Sequence, residues 1–155
     1  MLELAKGWMR FFYTVLGVIF RHPVTGVSIV PLLPDGKIIL VRRQDNGKWA
    51  LPGGMIDWGE DILTTVKREL AEETGLELVK LGRLVGVYSG AHRDPRLHSI
   101  CILVSAEVTG DIHIQDTWEI ADVCSFELSK IPMDNLSHDY QQQIQDYLEG
   151  RTAIA

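Results

Sequence analysis

Between residues 54 and 76 the chain reads Gly54-Met55-Ile56-Asp57-Trp58-Gly59-Glu60-Asp61-Ile62-Leu63-Thr64-Thr65-Val66-Lys67-Arg68-Glu69-Leu70-Ala71-Glu72-Glu73-Thr74-Gly75-Leu76. The spacing predicts a loop over 54–59 and a helix from about Glu60 to Thr74, ended by Gly75 as a left-handed cap residue. At about 100° per residue, with Val66 at zero, Leu70 falls near +40° and Ile62 near −40°. Glu73 then falls near −20°, Glu69 near −60° and Glu72 near −120°. Two carboxylates lean toward the apolar side and the third borders it, whereas acids on a surface helix belong on the opposite face. Crowded carboxylates repel one another and resist desolvation unless a cation compensates. A hard divalent ion, Mg²⁺ or Mn²⁺, answers both costs, because such ions favour carboxylate oxygens. Gly53-Gly54 allows a close backbone approach and can present a carbonyl oxygen. Arg68, two turns from Glu60, can pair with it and hold a glutamate in a ligating rotamer.

Outward from this segment the chain alternates strands with turns. Gly26–Leu33 and Lys37–Arg43 read as strands joined by Pro34-Asp35-Gly36, and Asp45-Asn46-Gly47 is a further turn. A short strand over Trp49–Leu51 is stopped by Pro52-Gly53-Gly54. Further strands are expected at about 82–88, 98–108, 112–114 and 122–127, with Thr109-Gly110-Asp111 as a hairpin turn. A C-terminal helix is expected from about Asp134 to Glu149. The pattern is α/β: one domain in which helices pack on a mixed β-sheet as an α/β/α sandwich.

The 155 residues suffice for one ordinary core, and 46% apolar with 23% charged residues excludes disorder, collagen and coiled coil as the main state. A net charge of −6 gives no chain-wide basic field for DNA, so no DNA partner is expected. Cys101 and Cys124 are too few for a disulfide framework and read as small hydrophobes in strands. Residues 1–21 form an apolar extension ahead of a domain over 22–155. Trp8, Phe11, Phe12, Val15, Leu16 and Ile19 sit at helical spacing, although the aromatic and β-branched content also suits a strand. Such a helix is expected to pack on its own domain or on a second subunit; membrane-surface contact through Lys6, Trp8 and Arg10 is the sharper alternative. The run Phe11–Phe20 is too short to span a bilayer and lacks the flanks of a signal peptide, so no stable membrane insertion and a cytoplasmic location are expected.

Gly54, Glu60, Arg68, Glu69, Leu70, Glu72, Glu73, Gly75 and Leu76 match the Nudix box without departure. On these residues the chain resembles the Nudix hydrolase family. The resemblance implies a Nudix fold and hydrolysis of a nucleoside diphosphate linked to a group X. It also implies Glu69 and Glu73 as metal ligands, Glu72 as a further ligand or water-orienting group, and the Gly53 carbonyl as a backbone ligand. Arg68 and Glu60 become the supporting pair. Glu72 is one possible general base and Glu119, on a loop before the 122–127 strand, is another. Many Nudix enzymes form dimers, so a homodimer is expected.

The segment Tyr88-Ser89-Gly90-Ala91-His92-Arg93-Asp94-Pro95-Arg96-Leu97-His98 concentrates groups suited to a nucleotide. Arginine forks fit diphosphate oxygens and a tyrosine can stack on a base. The Arg93-to-His98 run resembles a loop of Nudix ADP-ribose pyrophosphatases. Tyr88, Arg93, Arg96 and His98 are therefore the expected substrate contacts, with Arg43 from a strand end. Trp49, Trp58 and Trp118 are possible adenine platforms, core or rim packing being the expected fate of each. The expected substrate is ADP-ribose or a related nucleoside diphosphate sugar. The alternatives are a nucleoside triphosphate, a dinucleoside polyphosphate or an RNA 5′ end, and more remotely a non-catalytic ligand sensor.

Overall fold

The structure, a computed structural model, describes residues 9–17 and 22–155. Residues 9–17 are helical (α1). Eight strands follow: β1 (Val24–Leu32), β2 (Ile38–Arg43), β3 (Trp49–Ala50), β4 (Gly53–Met55), β5 (Glu77–Tyr88), β6 (Ser99–Thr109), β7 (Ile120–Phe126) and β8 (Ala153–Ile154). Helix α2 (Ile62–Thr74) lies between β4 and β5, and α3 (Tyr140–Leu148) between β7 and β8. All eight strands join one mixed sheet in the order β3-β2-β1-β6-β5-β8, with β4 also paired to β1 and β7 to β2. The central pair, β1 and β6, is parallel from Val24↔Ser99 to Leu32↔Glu107, and the β4, β2 and β5 contacts around it are antiparallel.

Two cores account for the near-continuous apolar runs in the central strands, because both faces of this sheet are covered. Val27, Ile29, Ile39, Val41, Val104 and Ala106 pack with Val66 and Leu70 of α2 on one face. Val30, Ile38, Leu40, Tyr88 and Leu103 pack with Ile144 of α3 on the other. The layers are those of the expected α/β/α sandwich. Burial of a side chain such as Val66 or Leu70 contributes about 1.5–3 kcal/mol of transfer free energy.

Several boundaries differ from the expectation. β3 does stop before Pro52, but Gly53–Met55 form a further strand, β4, in place of the start of the expected 54–59 loop, with Gly53 and Gly54 paired to Ser28 and Val27 of β1. Residues 112–114 form no strand, so Thr109-Gly110-Asp111 is not a hairpin turn. The loop bonds to the C-terminal end of α2 instead, His113 N–H donating to the Thr74 carbonyl at 2.8 Å. β5 starts at Glu77, five residues before the expected 82, because shifts of register against β6 between Leu78 and Gly86 break the alternation that would have marked its first half. The C-terminal helix starts at Tyr140: a 3₁₀ turn occupies Met133–Asn135, and His138 has φ 46°, outside helical space. β8 was not expected, since two residues carry no period. Cys101 and Cys124 lie in β6 and β7 and are free thiols.

Of the expected apolar stripe of α1, Phe11, Phe12 and Val15 are exposed and Leu16 is half-buried; Met9 and Tyr13 are also more than half exposed. Lys6, Trp8 and Ile19 fall outside the described residues. Among the described residues no helix is long and apolar enough to cross a membrane.

Candidate active site

Helix α2 opens on Asp61, whose Oδ1 accepts the Thr64 N–H at 2.7 Å, and closes on Gly75 at φ 75°. Both ends are therefore fixed by local chemistry, and the cap alone contributes about 1 kcal/mol. With the helix fixed, Glu69 and Glu73 fall on its buried face beside Thr65, Val66 and Leu70, as the wheel requires. Glu72 is half-exposed at the border.

β4 runs close to this face. Gly53 N–H donates to Glu73 Oε2 at 2.8 Å. A Cβ on Gly54 would stand 2.2 Å from Glu69 Oε1, and one on Gly53 would stand 2.1 Å from the Val27 carbonyl oxygen. The glycine pair is thus a steric requirement of the strand-to-helix approach.

Arg68 organises the carboxylates. Its Nε and Nη2 donate to the two oxygens of Glu60, each at 2.9 Å. Nη1 donates to Glu69 Oε1 at 2.7 Å and, more weakly, to Glu72 Oε2 at 3.4 Å. Nη2 also donates to the Met55 carbonyl at 3.0 Å, which ties the 56–60 loop to the helix. Glu60 accepts further from Thr65 Oγ1 and Asp57 N–H. The guanidinium, with these donors, pulls the Glu60 carboxyl down to about 2. Burial acts the other way on the inner acids: it pushes Glu73 up to about 8 and raises Glu69, the latter opposed by Arg68.

Glu119 is brought to the same place by the loop before β7. Gln115 and Asp116 N–H groups donate to the Glu72 carbonyl, and Asp116 Oδ1 accepts from the N–H groups of Trp118 and Glu119. The turn carrying Glu119 is thereby stapled to the end of α2, and its charge is among those felt by Glu69 and Glu73.

A cavity of about 490 Å³ is lined by Gly53, Gly54, Arg68, Glu69, Glu72 and Glu119 together with Arg43, Arg93 and Arg96. Most of the expected site is therefore assembled from five separate segments. Four expected residues do not line it: Glu60 and Glu73, which are tied to Arg68 and to the Gly53 N–H, and two of the expected substrate contacts. Tyr88 is buried in the α3-side core, with its hydroxyl donating to Asp146 Oδ2 at 2.8 Å, because its strand alternation points it away from the cavity. His98 is exposed and its Nε2 meets the Ser89 carbonyl at 3.0 Å, so it closes its own loop. Trp49 packs edge-on against Phe126, ring centroids 5.1 Å apart. Trp58 and Trp118, next to Asp57 and Glu119, are fully exposed. Asp94, whose alternative reading from the sequence is a partner for an arginine of its own loop, lines the cavity and pairs with Arg96 at 2.7 Å; Asp57, Asp116, His138, Asp139 and Tyr140, which also line it, were not among the expected site residues. Loop acids carry no periodic signal; only their proximity in the fold identifies them.

The donor set of Glu69, Glu72, Glu73 and the Gly53 carbonyl consists of hard oxygens, which fits Mg²⁺ or Mn²⁺. The close seat of Glu69 over Gly54 and of Glu73 over Gly53 fits it too. Among the described residues no three acidic, histidine or cysteine side chains already stand as a closed metal-binding group; Arg68 holds Glu69 Oε1 instead.

Residues 22–147 match the family model described as NUDIX domain. This chain belongs to the Nudix family. A curated relative, the ADP-ribose pyrophosphatase of Methanocaldococcus jannaschii, is 37% identical over 137 residues, spanning 86% of this chain and 78% of the relative. A putative 8-oxo-dGTP diphosphatase of Bacillus subtilis is 30% identical over 125 residues, spanning 81% of this chain and 80% of that protein. Among solved structures, the NUDIX domain of Shewanella oneidensis NrtR complexed with ADP ribose superposes with a TM-score of 0.74 at 28% identity, covering 85% of this chain and 90% of that one. The mixed sheet and flanking helices are the Nudix fold, and the chain is a Nudix hydrolase.

Proposed function

We propose that this Nudix hydrolase is an Mg²⁺-dependent pyrophosphatase of ADP-ribose or a closely related nucleoside diphosphate sugar, releasing a nucleoside monophosphate and a sugar phosphate. The observation that carries this reading is the group of α2 carboxylates, Glu69 and Glu72 at the wall of a cavity of about 490 Å³ beside Arg68 and Glu73 buried behind them. That volume suits a small-molecule nucleotide. The relative named an ADP-ribose pyrophosphatase supports the substrate.

A divalent cation held by Glu69, Glu73, Glu72 and the Gly53 carbonyl would neutralise the diphosphate and acidify an attacking water. The residues of the chain supply the rest. Arg68 keeps Glu69 in one rotamer, so the donor atoms do not have to be ordered when substrate arrives. Glu119 takes the proton of the water as its oxygen bonds to one phosphorus, with Glu72 as the alternative base. The bridging oxygen leaves with the other phosphoryl group and gains a proton. Positioning and charge stabilisation supply most of the rate in such displacements. The homodimer expectation belongs to this reading, the exposed side chains of Met9, Phe12 and Tyr13 on α1 offering an apolar surface to a second copy.

The B. subtilis relative favours one second reading, hydrolysis of a modified nucleoside triphosphate. A panel of ADP-ribose, other nucleoside diphosphate sugars, triphosphates including oxidised ones, dinucleoside polyphosphates and a 5′-triphosphate RNA, assayed with Mg²⁺, separates the two. The highest kcat/KM is expected with ADP-ribose. Turnover confined to oxidised triphosphates overturns the substrate and leaves the enzyme class standing.

A further inference from the structure

The arginines expected to grip phosphate are already engaged. Arg43 Nε and Nη2 donate to Asp45 at 2.8 and 2.7 Å. Arg93 Nε donates to Asp139 Oδ2 at 2.6 Å. Arg96 donates from Nε at 2.9 Å and Nη2 at 2.7 Å to Asp94, and from Nη1 to Asp45 at 3.2 Å. Three guanidinium groups meet three carboxylates, so this part of the cavity, built by the 89–98 loop and the segment before α3, is balanced in charge.

Asp94 and Asp139 themselves line the cavity. A phosphate oxygen beside them meets like charge, whereas a hydroxyl meets an acceptor. Asp139 Oδ2 takes one short bond, from Arg93 Nε, and Asp94 Oδ2 takes a short one from Arg96 Nη2 at 2.7 Å and a long, shared one from Arg96 Nε at 3.3 Å, so that a hydroxyl competes there only with the weaker of the two. Arg96 holds the Asp94 carboxyl down to about 2, so at neutral pH it accepts and does not donate.

His138 lines the same cavity and is the one non-glycine at positive φ among the described residues. Its Nε2 is buried without a hydrogen-bond partner. Ser137 holds the turn from one side, its N–H on the Trp49 carbonyl and its Oγ accepting from Asn46 Nδ2, and Asp139 holds it from the other. Strained backbone persists only where the surroundings over-determine it, and it concentrates at ligand sites.

We propose that this end of the cavity is a specificity site for an uncharged, hydroxyl-bearing sugar, in which Asp94 accepts a ribosyl hydroxyl and Arg96 is a positioning residue rather than a phosphate ligand. The proposal rests on the ADP-ribose reading and names which part of the substrate these residues read. ADP-ribose contains two riboses, and its two products separate them.

The test is Asp94→Asn in the full chain, with KM and kcat for ADP-ribose and product inhibition by ribose 5-phosphate and by AMP. Loss of one charged acceptor is expected to raise KM about 10-fold with kcat within about two-fold. A matching rise in the inhibition constant of ribose 5-phosphate assigns the site to the terminal sugar; a rise confined to AMP assigns it to the nucleoside ribose. An unchanged or lowered KM overturns the proposal, since a released Arg96 would then be gripping phosphate. Should Asp94→Asn fail to fold, Asp94→Glu keeps the ion pair and displaces the carboxylate by one methylene, and the same constants are read. A wild-type enzyme inert toward ADP-ribose removes the premise and the inference with it. An active one with unchanged constants in the variant removes the inference alone.

Discussion

Glu73 shows how one residue trades stability for chemistry. Burial lifts its pKa from 4.5 to about 8, so in the folded, metal-free chain it holds a proton that the unfolded chain releases above 4.5. Between those values the folded state binds more protons, and stability therefore falls as pH rises. The melting temperature of the metal-free protein is expected to drop from pH 5 to pH 8. Glu73→Gln should flatten that drop and melt about 3 °C or more above wild type at pH 8. The same variant, and Glu69→Gln, should lose about 10³-fold or more in kcat, because each removes an anionic oxygen from the cation site. Thermal melts across pH, with and without EDTA, read both effects on one set of samples. A wild-type melting temperature that rises toward pH 8 without metal would contradict the buried acid.

At the scale of elements, the site is the contact between β4 and α2. The strand contributes no side chain there, only a backbone that can come near because residues 53 and 54 lack Cβ atoms. The two glycines predict different failures. Gly53→Ala meets the backbone of β1 at 2.1 Å with φ 150°, so the sheet must shift and the fold is expected to lose several kcal/mol, on the order of an overpacked core. Gly54→Ala meets the far end of a side chain, Glu69 Oε1 at 2.2 Å, which can swing away. That variant should stay folded by circular dichroism while kcat falls about 10–100-fold, the usual cost of disturbing a metal ligand's setting. Equal loss of fold in both variants would mean that the close approach is not the reason for the pair. The Asp116 turn follows the same logic: hydrogen bonds to the Glu72 carbonyl turn an otherwise unremarkable loop into the support for Glu119.

Across the whole molecule, metal and stability are linked. Any ion that binds the folded chain and not the unfolded one stabilises the fold by mass action, by about 2.7 kcal/mol at a hundred times the dissociation constant, and so raises the melting temperature. Mg²⁺ at saturation is therefore expected to raise the melting temperature by about 5 °C or more at pH 8. The rise should vanish in the Glu69→Gln, Glu73→Gln double variant. EDTA should abolish hydrolysis and restored Mg²⁺ should return it. A metal-insensitive melting curve together with metal-insensitive turnover would remove the cation from the account.

Local chemistry alone specified the part of the chain with the strongest periodicity. The helix and its cap at Gly75, the inward lean of Glu69 and Glu73 and the Arg68–Glu60 pair follow from spacing along one element. The sandwich follows from apolar runs that only a doubly covered sheet can bury. The tertiary structure decided whatever depends on segments far apart in sequence. Tyr88 and Arg93 stand five residues apart, yet strand alternation buries the first in the α3-side core while the second lines the cavity. Asp94, two residues from Arg96, is a partner that the loop sequence itself offers, whereas Asp45, 51 residues away, is seen to share that arginine only in the fold. His138 and Asp139, on an irregular turn, carry no pattern that a sequence could display. Periodicity encodes which face of an element is buried, but the partner of a charge is fixed only when chain segments meet in space.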